Sequence, residues 1–394
     1  MSQRPNYILP LIVLSQFAGT SLWFVGNAIL PDIRQQLALG DGALGNITSA
    51  VQLGFITGTL LFAIFSIADR FSPSKVFFIS SLLAAASNIS LLWLAKDEFS
   101  LMSLRFITGF FLAGIYPVGM KIAADWYEKG LGKALGYLVG ALVLGTAFPH
   151  LLKASSLHFS WQTIIVFTSC FAVAGGSLIF LFVKDGPYRK QGQGFHPKNI
   201  ATIFKSPDFR SAALGYFGHM WELYAFWAFV PVLLALNNAH SHTNTNIPLW
   251  SFLVIGIGAL SCVAGGYLSQ RTGSARVAFW SLVISGTCCF LSSLLFDTSP
   301  WVFLPFMIVW GIAVIADSPQ FSALVAQTAP PEYKGTALTF VTCVGFAITI
   351  VSIQLLNYIV NHSSPGTTKL LFILLGAGPL FGLIFLYRLF KTRK

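Results

Sequence analysis

The sequence predicts an all-α membrane protein with twelve transmembrane helices, arranged as two pseudo-symmetric six-helix bundles. The first observation is composition: of 394 residues, 55% are hydrophobic and only 9% are charged, whereas about 25% of a soluble domain is charged. The second is that apolar runs recur along the whole chain, each about 20 residues long and able to cross a hydrocarbon layer about 30 Å thick. The third is an internal repeat, which divides the chain into two halves.

The repeat is clearest around two runs that each contain a glycine and a proline. Gly109 maps onto Gly311 and Pro117 maps onto Pro319, both at an offset of 202 residues. Along the rest of the chain the offset drifts only between 200 and 203. A duplicated membrane unit of this kind is typical of secondary transporters.

The apolar runs give twelve predicted spans and three predicted segments. The chain is predicted to comprise a first six-helix bundle (residues 1–183), a cytoplasmic linker (184–208) and a second six-helix bundle (209–394). The predicted spans are 8–30, 43–66, 75–95, 99–122, 132–152, 161–183, 209–236, 247–269, 275–296, 300–325, 336–359 and 368–389.

The basic residues predict the orientation of the chain. With the N-terminus inside, the cytoplasmic segments hold 19 Lys and Arg residues and the outer loops hold four, so both termini are expected in the cytoplasm. The first apolar run has no small-residue cleavage site and is interpreted as a retained span. We therefore expect a multi-pass protein of a bacterial inner membrane, working as a monomer.

Several classes of partner are not indicated. The net charge of +11 is dispersed among loops and forms no continuous patch, so a nucleic-acid partner is not expected. The five cysteines lie in apolar runs without CxxC or His/Cys spacing, so neither a disulfide framework nor a metal site is predicted. No cofactor is expected, and the absence of a GxxxxGK[ST] sequence argues against ATP-driven pumping by this chain.

The loop between spans 2 and 3 carries a family motif. It contains Asp69, Arg70 and Lys75, which match the Asp-Arg core and final basic residue of the pattern G-x-L-A-D-R-x-G-R-K, although both glycines are missing. The corresponding loop of the second half, residues 266–273, keeps both glycines and Arg271 but has Gln in place of Asp. Together with the two halves, the linker and the orientation, these loops resemble the major facilitator superfamily over the whole chain. The resemblance implies transport by alternating access.

The same resemblance implies a cytoplasmic gate. In the family, the loop aspartate pairs with charged groups at neighbouring helix ends, including an acidic residue at the end of span 4, which is Asp125 here. The expected gate residues are Asp69, Arg70, Asp125 and Arg271. The alternative for each is ordinary solvation in a loop.

Two acidic residues lie well inside predicted spans, Glu222 in span 7 and Asp317 in span 10. Glu222 lies about 18 Å along the helix from Arg210, near the middle of the bilayer. His219 precedes Glu222 by one turn, on nearly the same helix face. Because ionisable groups in a membrane are costly and usually functional, Glu222, His219 and Asp317 are predicted to carry proton coupling. The alternative is a buried hydrogen-bonding role, and Asp317 could equally contact substrate or tie spans together.

Polar and aromatic residues facing a central cavity are predicted to bind substrate. Arg105 forms a stripe with Gly109, Leu112 and Tyr116, and the family carries an Arg here that is associated with proton coupling or anionic substrates. The alternative is an Arg that snorkels to the outer surface. Amides can bind a solute or bridge helices. The predicted substrate-binding residues are Arg105, Tyr116, Gln16, Trp23, Asn27, Gln52, Tyr224 and Gln320.

These observations predict a proton-coupled secondary transporter of a small polar organic solute, with an organic anion or zwitterion favoured. A second possibility is an exporter of amphipathic compounds, which the 15% aromatic content would suit. The family's antiporter signature in span 5 is only partly present, since Gly136, Gly140 and Gly145 are not followed by G-P-x-x-G-G; we interpret these glycines as sites of close helix packing. A remote third possibility is a membrane-embedded enzyme built on His219 and Glu222.

Overall fold

The computed structural model describes residues 5–127, 131–155, 159–189, 194–363, 370 and 372–392. This part of the chain contains twelve helices long and apolar enough to cross a membrane, as predicted. Numbered in chain order, the spans are Ile8–Gln36, Ala43–Ile64, Pro73–Leu94, Glu98–Trp126, Leu131–Ala154, Trp161–Phe182, Pro207–Ser241, Ile247–Thr272, Ser274–Leu295, Pro300–Thr328, Pro331–His362 and Phe372–Thr392.

Several spans contain a break in the helix. The segments on either side of a break or of a short 3-10 turn are Ile8–Thr20 and Val25–Gln36 in span 1, Pro73–Ile89 and Leu91–Leu94 in span 3, Glu98–Leu112 and Tyr116–Trp126 in span 4, Ile247–Gly256 and Gly258–Thr272 in span 8, Pro300–Ala316 and Ser318–Thr328 in span 10, Pro331–Tyr333 and Lys334–His362 in span 11, and Phe372–Gly376 and Ala377–Thr392 in span 12. Among the described residues, three short helices lie outside the spans: Ile67–Arg70, Pro197–Asn199 and Ile200–Ile203.

The breaks in spans 4 and 10 occupy corresponding places in the repeat. In each span, the second residue of the second segment is a proline, Pro117 in span 4 and Pro319 in span 10. Proline has no backbone N–H to donate, so the preceding turn cannot complete its hydrogen bonds and the helix is interrupted. The shared proline therefore explains why both halves break at the same depth.

The packing of the helices confirms two pseudo-symmetric six-helix bundles. In the first half, span 1 packs on spans 5 and 6, span 2 on span 4, and span 3 on span 6; the second half repeats this as span 7 on spans 11 and 12, span 8 on span 10, and span 9 on span 12. The two halves meet where span 2 packs on span 11 and span 5 on span 8. The boundaries predicted for the bundles and linker stay predictions, and linker residues 190–193 lie outside the described residues.

Glycines allow the closest of these crossings. A Cβ atom on Gly109 would lie 2.1 Å from the carbonyl oxygen of Val51, and one on Gly311 would lie 2.0 Å from that of Val254. No side chain fits at such distances, so the repeated glycine sets the same tight contact in both halves. Between the halves, a Cβ on Gly136 of span 5 would lie 3.1 Å from the carbonyl oxygen of Cys262 in span 8, and one on Gly140 would lie 3.0 Å from that of Ala259. Close packing at these glycines is thus confirmed.

The structure corrects the predicted ends of two spans. Span 1 continues through Pro31 to Gln36, and span 7 continues through Pro231 to Ser241. The predicted span 7 stops at residue 236, before the polar run at residues 237–246. Asn237 is instead buried in the helix, where its side-chain Nδ2 donates to the carbonyl oxygens of Phe296 and Thr298 at the end of span 9.

Candidate functional site

A cavity of about 570 Å³ lies between the two halves. Its mouth is at the end of the bundle that carries the linker, because Asp69, Lys121 and Lys334 line it there together with Gly194 and Phe195 of the linker. The walls come from spans 2, 4 and 5 of the first half and spans 7, 10 and 11 of the second. The helix breaks of spans 4 and 10 both border the cavity, so part of its wall is made of interrupted helix.

The deep end of the cavity is closed by a group of five aromatic rings that we call the aromatic ceiling: Trp23, Phe55, Tyr116, Tyr224 and Phe346. The Trp23 ring lies 5.7 Å from Phe346 and 5.9 Å from Tyr224, and Phe55 lies 4.5 Å from Phe346, measured between ring centroids. Trp23, Phe55 and Tyr116 belong to the first half and the other two to the second. The ceiling is therefore a contact between the halves that separates the cavity from the far end of the bundle.

Beyond the ceiling, side-chain amides join spans 2 and 11. Gln354 Nε2 donates to Asn46 Oδ1 at 3.2 Å and to Ser49 Oγ at 3.1 Å. Asn357 Nδ2 donates to the carbonyl oxygen of Gly42 at 3.1 Å, and Asn361 Nδ2 to that of Asp41 at 2.8 Å. We call Asn46, Gln354, Asn357 and Asn361 the far-end amide network. It holds the two halves together at the end opposite the cavity mouth.

Two of the predicted proton-coupling residues form a pair. His219 Nδ1 lies 2.9 Å from Asp317 Oδ1, and both side chains are 1% exposed. Within the described residues neither carboxylate oxygen of Asp317 has a donor aligned for a hydrogen bond. The two side chains therefore lie at ion-pair distance but are not aligned for a hydrogen bond. Asp317 sits at the break of span 10, and Ile315 and Ser318 on either side of it line the cavity. The pair thus lies directly behind the cavity wall.

Glu222 has different partners from His219. Its Oε1 accepts a hydrogen bond from Trp310 Nε1 at 2.6 Å and one from Cys289 Sγ at 3.3 Å. Its side chain is 1% exposed, and its partners come from spans 9 and 10 of its own half. The spacing of His219 and Glu222 predicted that they would act together, but the structure places each with another partner.

Arg105 is completely buried, and its guanidinium binds neutral oxygens. Nη2 donates to the carbonyl oxygens of Leu22 and Trp23, each at 2.7 Å, and Nη1 donates to Asn88 Oδ1 at 3.0 Å. Both carbonyls belong to the break of span 1, where the helix leaves backbone oxygens without a partner. Arg105 does not snorkel to the surface, and it is absent from the lining of the cavity.

The repeat relates these buried charges to one another. At offsets of 200 and 201, two partners of Arg105, Leu22 and Asn88, map onto Glu222 and Cys289. The first half therefore has a buried cation at the place where the second half has a buried acid. Since both halves share one fold, the fold itself does not require either charge.

The Major Facilitator Superfamily profile matches residues 12–353. The chain belongs to this superfamily. It is therefore a multi-pass membrane protein and a secondary transporter. Members of the superfamily are transporters and not enzymes, so the enzyme alternative is wrong.

Relatives and solved structures agree with this assignment. A gallate transporter of Pseudomonas putida is 24% identical over 387 residues, covering 85% of this chain and 80% of the relative. The human organic anion transporter MFSD10 (TETRAN) superposes with a TM-score of 0.74 at 14% identity, over 97% of this chain and all of its own. A bacterial homologue of the human lysosomal transporter Spinster, in an inward-facing and unoccupied conformation, gives 0.72 at 15% identity, over 100% and 98% of the two chains.

The predicted substrate-binding residues of this transporter fall into two groups. Tyr116 and Tyr224 line the cavity, and Trp23 packs on both rings from above. The others are buried among helices. Gln52 Oε1 accepts from Trp23 Nε1 at 3.2 Å, and Asn27 Nδ2 donates to Thr48 Oγ1 at 2.9 Å. Gln16 packs against Gly119, and neither of its amide atoms has a hydrogen-bond partner among the described residues; Gln320 lies beside Gly265. The two span 1 carboxamides, Gln16 and Asn27, are therefore not among the described lining residues of the cavity.

Sequence reasoning missed several lining residues. Tyr216 and Met220 line the cavity with Leu223 and Tyr224, and their spacing on span 7 follows one helix face. This stripe could have been found, since it repeats at i, i+4 and i+8. Thr339 and Thr342 of span 11 also line the cavity, but they lie in an apolar run without a distinguishing pattern.

Of the four predicted gate residues, Asp69 lines the mouth of the cavity, whereas Arg70, Asp125 and Arg271 are not among its described lining residues. Asp69 Oδ1 lies 2.7 Å from Lys121 Nζ, so Lys121 pairs with the loop. Asp125 is 6% exposed and its Oδ2 has no hydrogen-bond partner among the described residues. Arg70 and Arg271 are exposed. The loop is also held from the other side, because Arg189 donates to the carbonyl oxygens of Asp69 and Phe71 at 3.0 and 2.8 Å.

Proposed function

We propose that this transporter couples the movement of a small organic anion to protons, using Asp317 and His219 with Glu222. The observation that carries the proposal is the buried Asp317–His219 pair behind the cavity wall. A proton gained or lost by a buried pair changes its charge, which is costly in a medium of low dielectric constant. Asp317 lies at the break of span 10, so this free-energy cost acts on the part of the cavity wall where the helix is interrupted.

The repeat supports a functional origin for this pair. At offsets of 200 and 202, His219 and Asp317 map onto Gly19 and Ile115 of the first half. A Cβ on Gly19 would lie 2.6 Å from Ile115 Cγ2, so the corresponding contact there is apolar and close. The bundle packs well without a charged pair at this place. The pair in the second half is therefore explained by coupling better than by stability.

Positive charge at the mouth supports an anionic substrate. Asp69, Lys121 and Lys334 line the mouth; Asp69 pairs with Lys121, so the exposed Lys334 side chain supplies the net positive charge there. Tyr116, Tyr216 and Tyr224 supply hydroxyl groups deeper in the cavity. One relative is a gallate transporter and one similar structure is an organic anion transporter. A zwitterion would use the same groups.

We further propose a monomer in a bacterial inner membrane with both termini in the cytoplasm. The 19 basic residues of the linker-side segments and termini against four in the opposite loops support this orientation. The cavity mouth then faces the cytoplasm.

A second candidate function is export of amphipathic compounds. Most of the lining is apolar, and this observation favours it; the apolar side chains include Phe62, Leu135, Leu142, Met220, Leu223, Ile315 and Leu338. An amphipathic compound would be held by these surfaces rather than by the tyrosines and lysines.

Proteoliposomes holding the full chain test these alternatives with gallate and ethidium as probes. A pH gradient, alkaline inside, should drive accumulation of labelled gallate beyond that in protein-free liposomes, and collapsing the gradient should stop it. Asp317→Asn should lose the gradient-driven part. Transport of ethidium without gallate would favour the exporter, and gallate uptake that ignores the pH gradient would overturn proton coupling.

A further inference from the structure

Trp23 is fixed to the first half by polar contacts at both ends of the residue. Arg105 Nη2 donates to the Trp23 carbonyl oxygen at 2.7 Å, and Trp23 Nε1 donates to Gln52 Oε1 at 3.2 Å. The residue lies in the break of span 1, between Thr20 and Val25, where helical hydrogen bonds do not hold the backbone. Arg105 and Gln52 thus determine where the indole ring stands.

The second half meets Trp23 through ring faces. Phe346 stacks on it at 5.7 Å with 26° between the planes, and Tyr224 lies at 5.9 Å with 31°. Within the described residues no hydrogen bond joins Trp23 to the second half. Aromatic rings attract one another through their π surfaces in offset-stacked arrangements, so another flat ring can take the place of these two. Phe346 and Tyr224 also line the cavity, which brings a bound molecule to the edge of the stack.

We infer that Trp23 determines specificity by stacking its indole face on a planar aromatic ring of the substrate, in place of Phe346 and Tyr224. The inference rests on the proposed organic-anion transport and narrows the substrate class to aromatic carboxylates. Arg105 and Gln52 act as positioning residues for the ring. This role of Arg105 replaces the direct contact with substrate that its place in span 4 predicted.

Buried polar atoms beside the ceiling fit substituents on such a ring. Gln52 Nε2 and Thr59 Oγ1 have no hydrogen-bond partner among the described residues, and the two side chains are 0% and 8% exposed. They share one face of span 2 with Phe55, since the three residues are spaced at i, i+3 and i+7. Thr59 lines the cavity. Ring hydroxyl groups would satisfy these atoms, which are otherwise costly to bury.

Four probes separate the contribution of an aromatic ring to binding from that of a negative charge: benzoate, cyclohexanecarboxylate, benzamide and cyclohexanecarboxamide. Their dissociation constants are measured from ligand-dependent thermal stabilisation of the purified full chain. The natural protein should bind benzoate about three- to tenfold more tightly than cyclohexanecarboxylate, because stacking adds to area burial. Trp23→Leu should bring this ratio close to one, and Trp23→Phe should keep most of it. Trp93→Leu is the matched control, because Trp93 is 66% exposed at the end of span 3.

The same probes distinguish positioning from direct binding by Arg105. If Arg105 positions Trp23, Arg105→Lys and Gln52→Leu should both lower the benzoate-to-cyclohexanecarboxylate ratio and leave the benzoate-to-benzamide ratio unchanged. If Arg105 binds the carboxylate, Arg105→Lys should lower the second ratio instead. Gln52→Leu gives an independent result should Arg105→Lys not fold.

Each outcome bears on one of the two proposals. Equal binding of benzoate and cyclohexanecarboxylate overturns stacking on Trp23 and leaves organic-anion transport standing. Equal binding of benzoate and benzamide, with the preference for an aromatic ring intact, overturns the proposal of an anionic substrate and leaves the proposal of stacking on Trp23 standing. A ring preference that survives Trp23→Leu also overturns the inference, as does binding of none of the four probes.

Discussion

At the scale of single residues, the buried charges are defined by their partners more than by their depth. Asp317 faces His219 across spans 7 and 10, while Glu222 accepts hydrogen bonds from Trp310 and Cys289. Depth in a span was readable from the sequence, and it drew attention to all three ionisable residues. Their pairing was not readable, because helical spacing shows which side chains share a face and says nothing of the neighbouring helix.

The two acids are predicted to act on coupling and not on the translocation of substrate itself. Glu222→Gln and Asp317→Asn keep the shape of each side chain and remove the charge that a proton would neutralise. Each should lower pH-driven accumulation of gallate in proteoliposomes about tenfold, within the usual range of a coupling term, while exchange of gallate across the membrane stays within about twofold. Thr287→Val is the control, because Thr287 Oγ1 is exposed on span 9 and donates to the carbonyl oxygen of Val283 in its own helix. Undiminished accumulation in Glu222→Gln would leave Asp317 alone in this role.

The Asp317–His219 pair also makes a prediction about stability. His219→Ala leaves a buried carboxylate without its partner and should destabilise the protein by about 3–5 kcal/mol. The double variant His219→Gly with Asp317→Ile copies the Gly19–Ile115 contact of the first half. Apart from about 1 kcal/mol for glycine in a helix, it should recover the loss, but it should not couple transport to protons.

Chemical unfolding in detergent measures both variants, and gallate accumulation measures the double variant. A double variant as unstable as His219→Ala would show that the two halves are not interchangeable at this contact. A stable double variant that still accumulates gallate under a pH gradient would remove the pair from the coupling mechanism.

At the scale of elements, the repeat made most of the fold predictable. Span number, the two bundles and the close crossings at Gly109 and Gly311 follow from apolar length and from one duplicated pattern. The role of the carboxamides within the spans was ambiguous, because an amide that binds a solute and one that bridges helices look alike in a sequence. Gln354 and Asn357 prove to bridge the halves. That choice depends on which span faces which, and a single sequence does not encode it locally.

The far-end amide network is predicted to stabilise the conformation in which the cavity opens at the linker end. Gln354→Leu removes two hydrogen bonds between the halves, each contributing about 0.5–1.5 kcal/mol. The population open at the far end should therefore rise several-fold, and a cysteine placed at the mouth, as Thr339→Cys, should react more slowly with a bulky, membrane-impermeant thiol reagent. The assay uses a background without Cys170 and Cys343.

Thr57→Val is the matched control, since Thr57 Oγ1 donates to the carbonyl oxygen of Leu53 in its own helix. An unchanged rate of labelling in Gln354→Leu, with the same rate in Thr57→Val, would show that the network does not set the balance between the two conformations.

At the scale of the whole molecule, the halves share a fold but differ in what they contribute. The polar pair at the mouth, Asp69 with Lys121, lies in the first half, and its positions map onto Gln270 and Ala323 in the second. The buried acid and the acid–histidine pair lie in the second half. The aromatic ceiling is made by both. Alternating access therefore joins two specialised bundles, and the family motif, which is partly present in a loop of each half, could not predict this division.

At the mouth, Asp69 pairs with Lys121 while the cavity is open. Both residues belong to the first half, so the pair does not itself close the mouth; it fixes the loop of Asp69 beside a lysine that lines the cavity. Asp69→Asn should slow gallate transport by about fivefold or more, as a coupling free energy of 1–3 kcal/mol implies, because one of the two conformations loses the pair. Gallate affinity should stay within about twofold, since the tyrosines and the ceiling are untouched.

Asp125→Asn should also slow gallate transport. Asp125 lies on the same short helical segment as Lys121, and its Oδ2 is buried without a hydrogen-bond partner among the described residues. Initial uptake rates and binding, measured on the same preparations, check both variants against Asp208→Asn, whose carboxylate contacts Arg388 away from the cavity. Rates equal to those of the natural protein in both Asp69→Asn and Asp125→Asn would show that the mouth is not a gate.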